Sequence, residues 1–325
     1  MNRRDILLGA AATGVAATLP AAAQTRGAVQ IGFIGGGVAA LLEPFLSGLQ
    51  EGLVAQGWRL GHSAQIIARY ADGDPGRIPG LVAELEAARV AVIVTHAQAT
   101  GAVIRAKRQT PVVYQFSADP VVSGFATDLA HPRYDATGIT LLAAELNAKR
   151  LDFLREMAPD LRRVAVVYNP LHPGEHLERG WLEGRGRELQ FQLTYHPADS
   201  RTMLPTVLPA VAAAAPQAVL ILSDGFTVEN RAAILDLSRQ LAIPALSGWA
   251  VMAEAGAVLT FGPRLAESYR RSGYFVDRIL RGARAETLPI EQPTVLELVI
   301  NAGAAKQIAL AIPPALLARA DRIID

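Results

Sequence analysis

Short β-branched runs alternate with longer amphipathic stretches along this chain, and the alternation runs through twice. Residues 29–34, 65–70, 90–95 and 111–116 are compact apolar runs, the first being Val29-Gln30-Ile31-Gly32-Phe33-Ile34. Between them, residues 41–56, 78–88 and 97–107 place apolar side chains at helical spacing. Strands separated by helices in this order form a parallel sheet with helices on both faces. The pattern then restarts with a helix over 146–157 and a strand over 163–168. A helix within 178–189, a strand over 191–195, a helix over 203–214 and a strand over 218–222 follow. Next come a helix over 231–241, strands over 244–246 and 257–261, a helix over 267–280 and a late strand over 295–301. The tail, 304–324, reads as helical with a break at Pro313-Pro314. The expected fold class is α/β, two Rossmann-like doubly wound parallel-sheet units of similar size.

The first 23 residues stand apart. Asn2-Arg3-Arg4-Asp5 leads into an apolar run from Ile6 to about Ala17, then Leu19-Pro20 and Ala21-Ala22-Ala23. A charged start, a short apolar stretch and a small-residue cleavage site make an export signal. Arg3-Arg4 with Leu7 fits the twin-arginine route, although Ile6 stands where Phe is commoner; a Sec signal is the alternative. Cleavage after Ala23 would leave 29 basic and 29 acidic residues, a formal charge of zero. That balance argues against nucleic acid or an anionic membrane as the main partner. With no cysteine, the chain has no disulfide, no thiolate metal site and no lipid-anchoring cysteine. The expected product is soluble, monomeric and, in a diderm bacterium, periplasmic.

Ligands of open parallel sheets bind beyond the carboxyl ends of the strands, near helix N-termini. Six loops qualify here, and they nominate thirteen ligand-binding candidates. From the first unit these are Gly36, Gly37, His96, Gln98, Phe116, Ser117 and Asp119. From the second they are Asn169, His172, Asp224, Phe226, Ser247 and Trp249. Ser, Asn and Asp at such positions also cap helices, and the aromatics also suit a core. Gly35-Gly36-Gly37 lacks the G-x-G-x-x-G spacing of a dinucleotide site, and no acidic residue ends the second strand, so no cofactor is expected. His172-Pro173-Gly174-Glu175-His176 has the letters of a zinc-peptidase helix, but Pro173-Gly174 argues against one continuous helix. No G-x-S-x-G nucleophile motif is present. Catalytic and metal-ligating residues are therefore expected to be absent.

Several motifs together resemble a known family. They begin with Asp72-x-Asp74-Pro75, Thr110-Pro111-Val112-Val113, Asp119-Pro120-Val121, Thr137-Gly138-Ile139 and Tyr168-Asn169-Pro170. Phe261-Gly262-Pro263, the stretch Tyr274-Phe275-Val276-Asp277-Arg278 and Leu288-Pro289-Ile290-Glu291-Gln292-Pro293 follow in order. Nearly the whole chain after residue 23 is similar to the substrate-binding proteins of ABC transporters, in the tryptophan/phenylalanine-binding-like, type 1 periplasmic group. The resemblance implies two lobes joined by three crossovers, with residues 28–139 plus 262–287 in one and 140–261 plus 288–325 in the other. It implies capture of a small molecule, an amino acid or an aromatic or other carboxylate, and delivery to permease subunits. Ala97-Gln98, Ala118, Arg133-Tyr134-Asp135 and Gly225 depart from the family's usual residues at ligand-side loops. The scaffold is accordingly expected to be shared and the ligand to differ. An exported hydrolase or metal enzyme using His172, Glu175 and His176, and a ligand-sensing subunit of a membrane signalling system, are the competing readings.

Overall fold

A computed structural model describes residues 27–325 apart from Gln98 and Lys107. The expected export signal lies outside the described residues.

The first sheet comes from β1 (Val29–Gly35), β2 (Ala64–Tyr70), β3 (Val92–His96) and β4 (Val112–Phe116). After a small hairpin, β5 (Ala126–Asp128) with β6 (His131–Pro132), it is completed by β7 (Ala136–Thr140). The strand order is β2-β1-β3-β4-β7, all parallel. Strands β3, β4 and β7 are buried at every position; β3 and β4 are the runs expected over 90–95 and 111–116, whereas β7, Ala-Thr-Gly-Ile-Thr, carries too few apolar residues to read as a strand. Successive side chains point to opposite faces. Ile31 and Phe33 therefore meet Leu49 and Leu53 of α1 (Ala39–Ala55), while Ile34 meets the other face. That second face is covered by α2 (Ile78–Ala87) and α3 (Ala99–Arg105).

The second sheet begins after α4 (Ala143–Met157) with β8 (Arg163–Tyr168). Then follow α5 (Glu175–Glu188), β9 (Gln192–Pro197), α6 (Leu204–Ala213) and β10 (Ala218–Ile221). Two short helices, α7 (Gly225–Glu229) and α9 (Ala250–Glu254), flank α8 (Arg231–Gln240) and β11 (Ala245–Ser247). β12 (Leu259–Pro263) ends this run. α10 (Leu265–Leu280) then packs back on the first sheet, placing Phe275, Val276 and Ile279 against the α1 face. β13 (Leu296–Asn301) returns to the second sheet. The tail contains α11 (Ala302–Gln307), α12 (Pro314–Leu317) and β14 (Arg322–Ile324). The full order is β14-β13-β12-β11-β10-β8-β9.

Two expectations need correction. The tail is not helical to residue 324: Arg322–Ile324 is a strand paired in parallel with β13. The second sheet is not wholly parallel, because β13 runs antiparallel to β12. The chain reaches β13 from a crossover segment and enters the sheet from the opposite end, which reverses its direction. Residues of that crossover pair with the first one, Glu291 N–H donating to the Gly138 carbonyl and Thr140 N–H to the Glu291 carbonyl, both at 2.9 Å. Among the described residues no helix is long and apolar enough to cross a membrane.

Helices α1 and α10 approach at two glycines. A Cβ at Gly52 would lie 2.0 Å from the Arg270 carbonyl oxygen, and one at Gly273 would lie 2.3 Å from the Gly52 carbonyl carbon. Only hydrogen fits at either position. Around this contact Arg270 pairs with Glu51 at 2.6 Å and the Trp58 indole N–H donates to Asp277 at 2.9 Å.

Candidate functional site

The carboxyl ends of both sheets face each other, and the loops there touch. Gly36 and Gly37 end β1, and His96 ends β3; from the other sheet come Glu229 on α7 and Trp249 before α9. With Phe45 of α1 and Tyr269 of α10 they line a cavity of about 40 Å³ between the two sheets. That space has room for about one water. Trp249 is buried and packs into the apolar cluster of the first sheet although its loop follows β11 of the second. Gly37 faces the Glu229 carboxylate so closely that a Cβ would lie 2.0 Å from Oε1.

Beside the cavity runs a buried polar chain. Ser117 Oγ, following β4, lies 2.6 Å from His172 Nε2, following β8. His172 Nδ1 lies 3.0 Å from Glu178 Oε1 of α5, an ion-pair distance at an angle too poor for an aligned hydrogen bond. Glu178 Oε2 accepts from Asn147 Nδ2 at 2.8 Å, and Asn147 Oδ1 accepts from Arg150 Nη1. Arg150 Nε donates to the Phe261 carbonyl at 2.9 Å. Gly248 makes room for this guanidinium, since a Cβ there would lie 2.4 Å from Nη2. Arg150 is only 1% exposed. Burial pulls its pKa down to about 9, against the pull of Glu178, and leaves it charged at neutral pH.

The three groups Ser117, His172 and Glu178 have the distances of a Ser-His-acid triad. Their placement argues against that chemistry. Ser117 is 2% exposed and belongs to the first sheet, whereas His172 and Glu178 belong to the second. Parting the sheets far enough to admit a substrate separates nucleophile from base. The contact bridges the two units.

Two histidines give the protein opposite pH limbs. Burial pulls His96 down from 6.5 to about 4. Its neutral form is the folded form, so stability is full above pH 6.5 and falls as pH drops from there to about 4. At about 1.4 kcal/mol per pH unit the loss is about 3 kcal/mol. His172 is raised: burial lowers it, but Glu178, Asp224 and Glu175 together outweigh that. Its contribution is full below 6.5 and is lost as pH rises through its folded value. In urea unfolding between pH 4 and 8, His96→Phe is expected to flatten the acid limb and leave the alkaline one. An unchanged acid limb would refute the assignment.

Of the thirteen nominated residues, four line the cavity: Gly36, Gly37, His96 and Trp249. Ser117 and His172 form the contact that bridges the two units. Asn169 donates from Nδ2 to Asp224 at 2.8 Å, and Asp224 accepts from the Thr227 N–H at 2.9 Å as the N-cap of α7. Asp119 caps its own turn, accepting from the N–H groups of Val121 and Val122. Phe116, Phe226 and Ser247 are core residues rather than cavity residues: Phe116 packs on Phe125, Phe226 on the α8 face, and Ser247 Oγ donates to the Ile221 carbonyl. Gln98 lies outside the described residues. His176 is exposed and Glu175 pairs with Arg179, so the His-Pro-Gly-Glu-His letters are not gathered into one site. Among the described residues no group of three or more His, Cys, Asp or Glu is placed to hold a metal. Phe45, Glu229 and Tyr269 of the cavity, and Asn147, Arg150 and Glu178 of the chain, were not nominated.

The family model for ABC transporter substrate binding proteins matches residues 40–324. The chain belongs to that family. Solved structures carry the same fold. A conserved domain protein from Vibrio cholerae O1 biovar El Tor superposes on this substrate-binding protein with a TM-score of 0.85 and 22% identity, covering 91% of this chain and 99% of its own. A Streptococcus pneumoniae structure in complex with L-Trp also has a TM-score of 0.85, at 16% identity, covering 91% and 100%. A more distant solute binding protein from R. palustris, in complex with 4-hydroxybenzoate, has a TM-score of 0.53 and 14% identity, covering 81% and 76%. No curated protein sequence matches the chain significantly.

Proposed function

We propose that this substrate-binding protein is the periplasmic solute receptor of an ABC transporter, exported by its first 23 residues and working as a soluble monomer. Its two lobes are residues 28–139 plus 262–287 and 140–261 plus 288–325. They close on a small organic solute, and the closed form docks on permease subunits. The observation that carries this reading is the cavity lined from both lobes and bordered by the Ser117–His172 contact. A small organic solute calls for a site of about 300 Å³ or more. The lobes must therefore part to admit it, and contacts to both lobes would then favour closure by differential affinity. The ligands of the pneumococcal and R. palustris structures, an aromatic amino acid and an aromatic acid, agree with a solute of this size.

A thermal-shift screen of the purified protein tests the reading. Its panel is amino acids, aromatic acids, amines, nucleosides, sugars and divalent metals. Ligand at 100 times Kd is expected to stabilise by about 2.7 kcal/mol. A shift with zinc alone, lost in His172→Ala, would overturn the receptor reading in favour of a metal enzyme.

A further inference from the structure

The cavity between Gly37 and Trp249 presents a single formal charge among its described lining residues, and that charge is negative. Glu229 reaches it from the rim of the second lobe. Around it stand aromatic rings: Phe45 lies 4.2 Å from Tyr269 and 4.9 Å from His96, centroid to centroid, and Trp249 also lines the space. No arginine or lysine lies among those residues, Arg150 being seated behind Gly248. His96 brings no positive charge either, because burial keeps its ring neutral at working pH. Its Nε2 is buried and has no hydrogen-bond partner, a polar atom in need of one on a residue that lines the cavity.

We propose that the solute places an organic cation in this cavity, a primary or methylated ammonium on a small aromatic or aliphatic body. The inference rests on the receptor reading above and names the ligand class for that same site. Rings flanking a carboxylate suit an ammonium twice over, through the negative ring faces and through a charge-assisted contact to Glu229. A carboxylate end would meet Glu229 with no cation to balance it. Burial and the nearby Asp224 raise the Glu229 pKa, a strain that a bound cation relieves. Asp224 itself is engaged as the α7 cap and by Asn169, which leaves Glu229 as the carboxylate for the cavity. Gly37 lets that carboxylate reach the first lobe. A cation held between Glu229 and the rings of Phe45 and Tyr269 thus touches both lobes and draws them together.

Calorimetric titration with shape-matched pairs tests this. Phenethylamine, phenyltrimethylammonium and tryptamine are compared with phenylacetate and indole-3-acetate, with L-Phe, L-Trp and phenethyl alcohol alongside. The cations are expected to bind at least tenfold tighter than carboxylates of the same body. Glu229→Gln is expected to weaken cation binding at least tenfold while the free protein melts no lower than the wild type, since removing the charge also removes its strain beside Asp224. Carboxylates binding as well as the amines, or Glu229→Gln leaving amine affinity unchanged, would overturn the inference and leave the receptor reading standing. If no member of the panel binds, charged or neutral, the inference falls, and the receptor reading is decided by the wider thermal-shift screen.

Discussion

Replacing Glu178 with alanine is expected to destabilise the protein by about 3–5 kcal/mol, the range for breaking a buried ion pair by removing one partner. The carboxylate is 2% exposed and lies between the His172 ring and Asn147, which in turn holds Arg150. Without it the Arg150 guanidinium keeps its charge in a site that excludes water, and the Asn147 amide loses its acceptor. Glu178→Gln keeps an acceptor for Asn147 and is expected to cost less. Chemical denaturation at pH 6 and at pH 8 separates the two contributions. The Glu178→Ala penalty is expected to be larger at pH 6, where the raised His172 is protonated and also depends on the carboxylate. An alanine variant within about 1 kcal/mol of the wild type would mean that the Arg150 charge is satisfied elsewhere.

Gly273→Ala sets two effects of opposite sign against each other. Glycine inside a helix is less favourable than alanine by about 1 kcal/mol, so propensity alone predicts a gain. The added methyl, however, would lie 2.3 Å from the backbone of Gly52 and 2.6 Å from the Leu53 nitrogen. Neither atom can swing aside as a side-chain tip can. The α1 and α10 helices must separate, loosening Leu49, Leu53, Phe275 and Val276. Overpacking of this kind costs about 1–3 kcal/mol and sometimes more. The net expectation is a loss of about 2 kcal/mol for alanine, and failure to fold for leucine. Gly180→Ala in α5, where a Cβ meets nothing within 4 Å, is the control and is expected to stabilise. A gain at position 273 would show that the helices pack with more slack than their separation implies.

Much of the scaffold was legible because buried parallel strands leave unbroken apolar runs and their crossover helices leave a regular period. What escaped was structure fixed at a distance. Arg322–Ile324 is three residues long, and its strand character comes from pairing with Val299–Asn301. The direction of β13 depends on where the chain enters the sheet, which no local pattern records. Five residues are too few to show a helical period, so α7 and α9 went unseen. At the site, the strand-end rule found Gly36, Gly37, His96 and Trp249. It missed Phe45, Glu229 and Tyr269, which arrive on helices. Arg150 and Glu178 resemble ordinary solvent-facing charges, yet one clue was present. Asn147, Arg150, Leu151 and Leu154 share one face of α4, so two polar residues sit on an apolar stripe that has to be buried.

The return of α10 to the first sheet has a bearing on how the molecule is made. Glu51 and Arg270, which meet across the α1–α10 contact, are 219 residues apart. The N-terminal sheet therefore waits with one apolar face covered by α1 alone while most of the polypeptide is synthesised. Contacts of such span slow the search for the native state and prolong the life of sticky intermediates. Truncated chains ending before residue 265 should accordingly depend on holding factors to stay in solution, even though every strand of that sheet is already present.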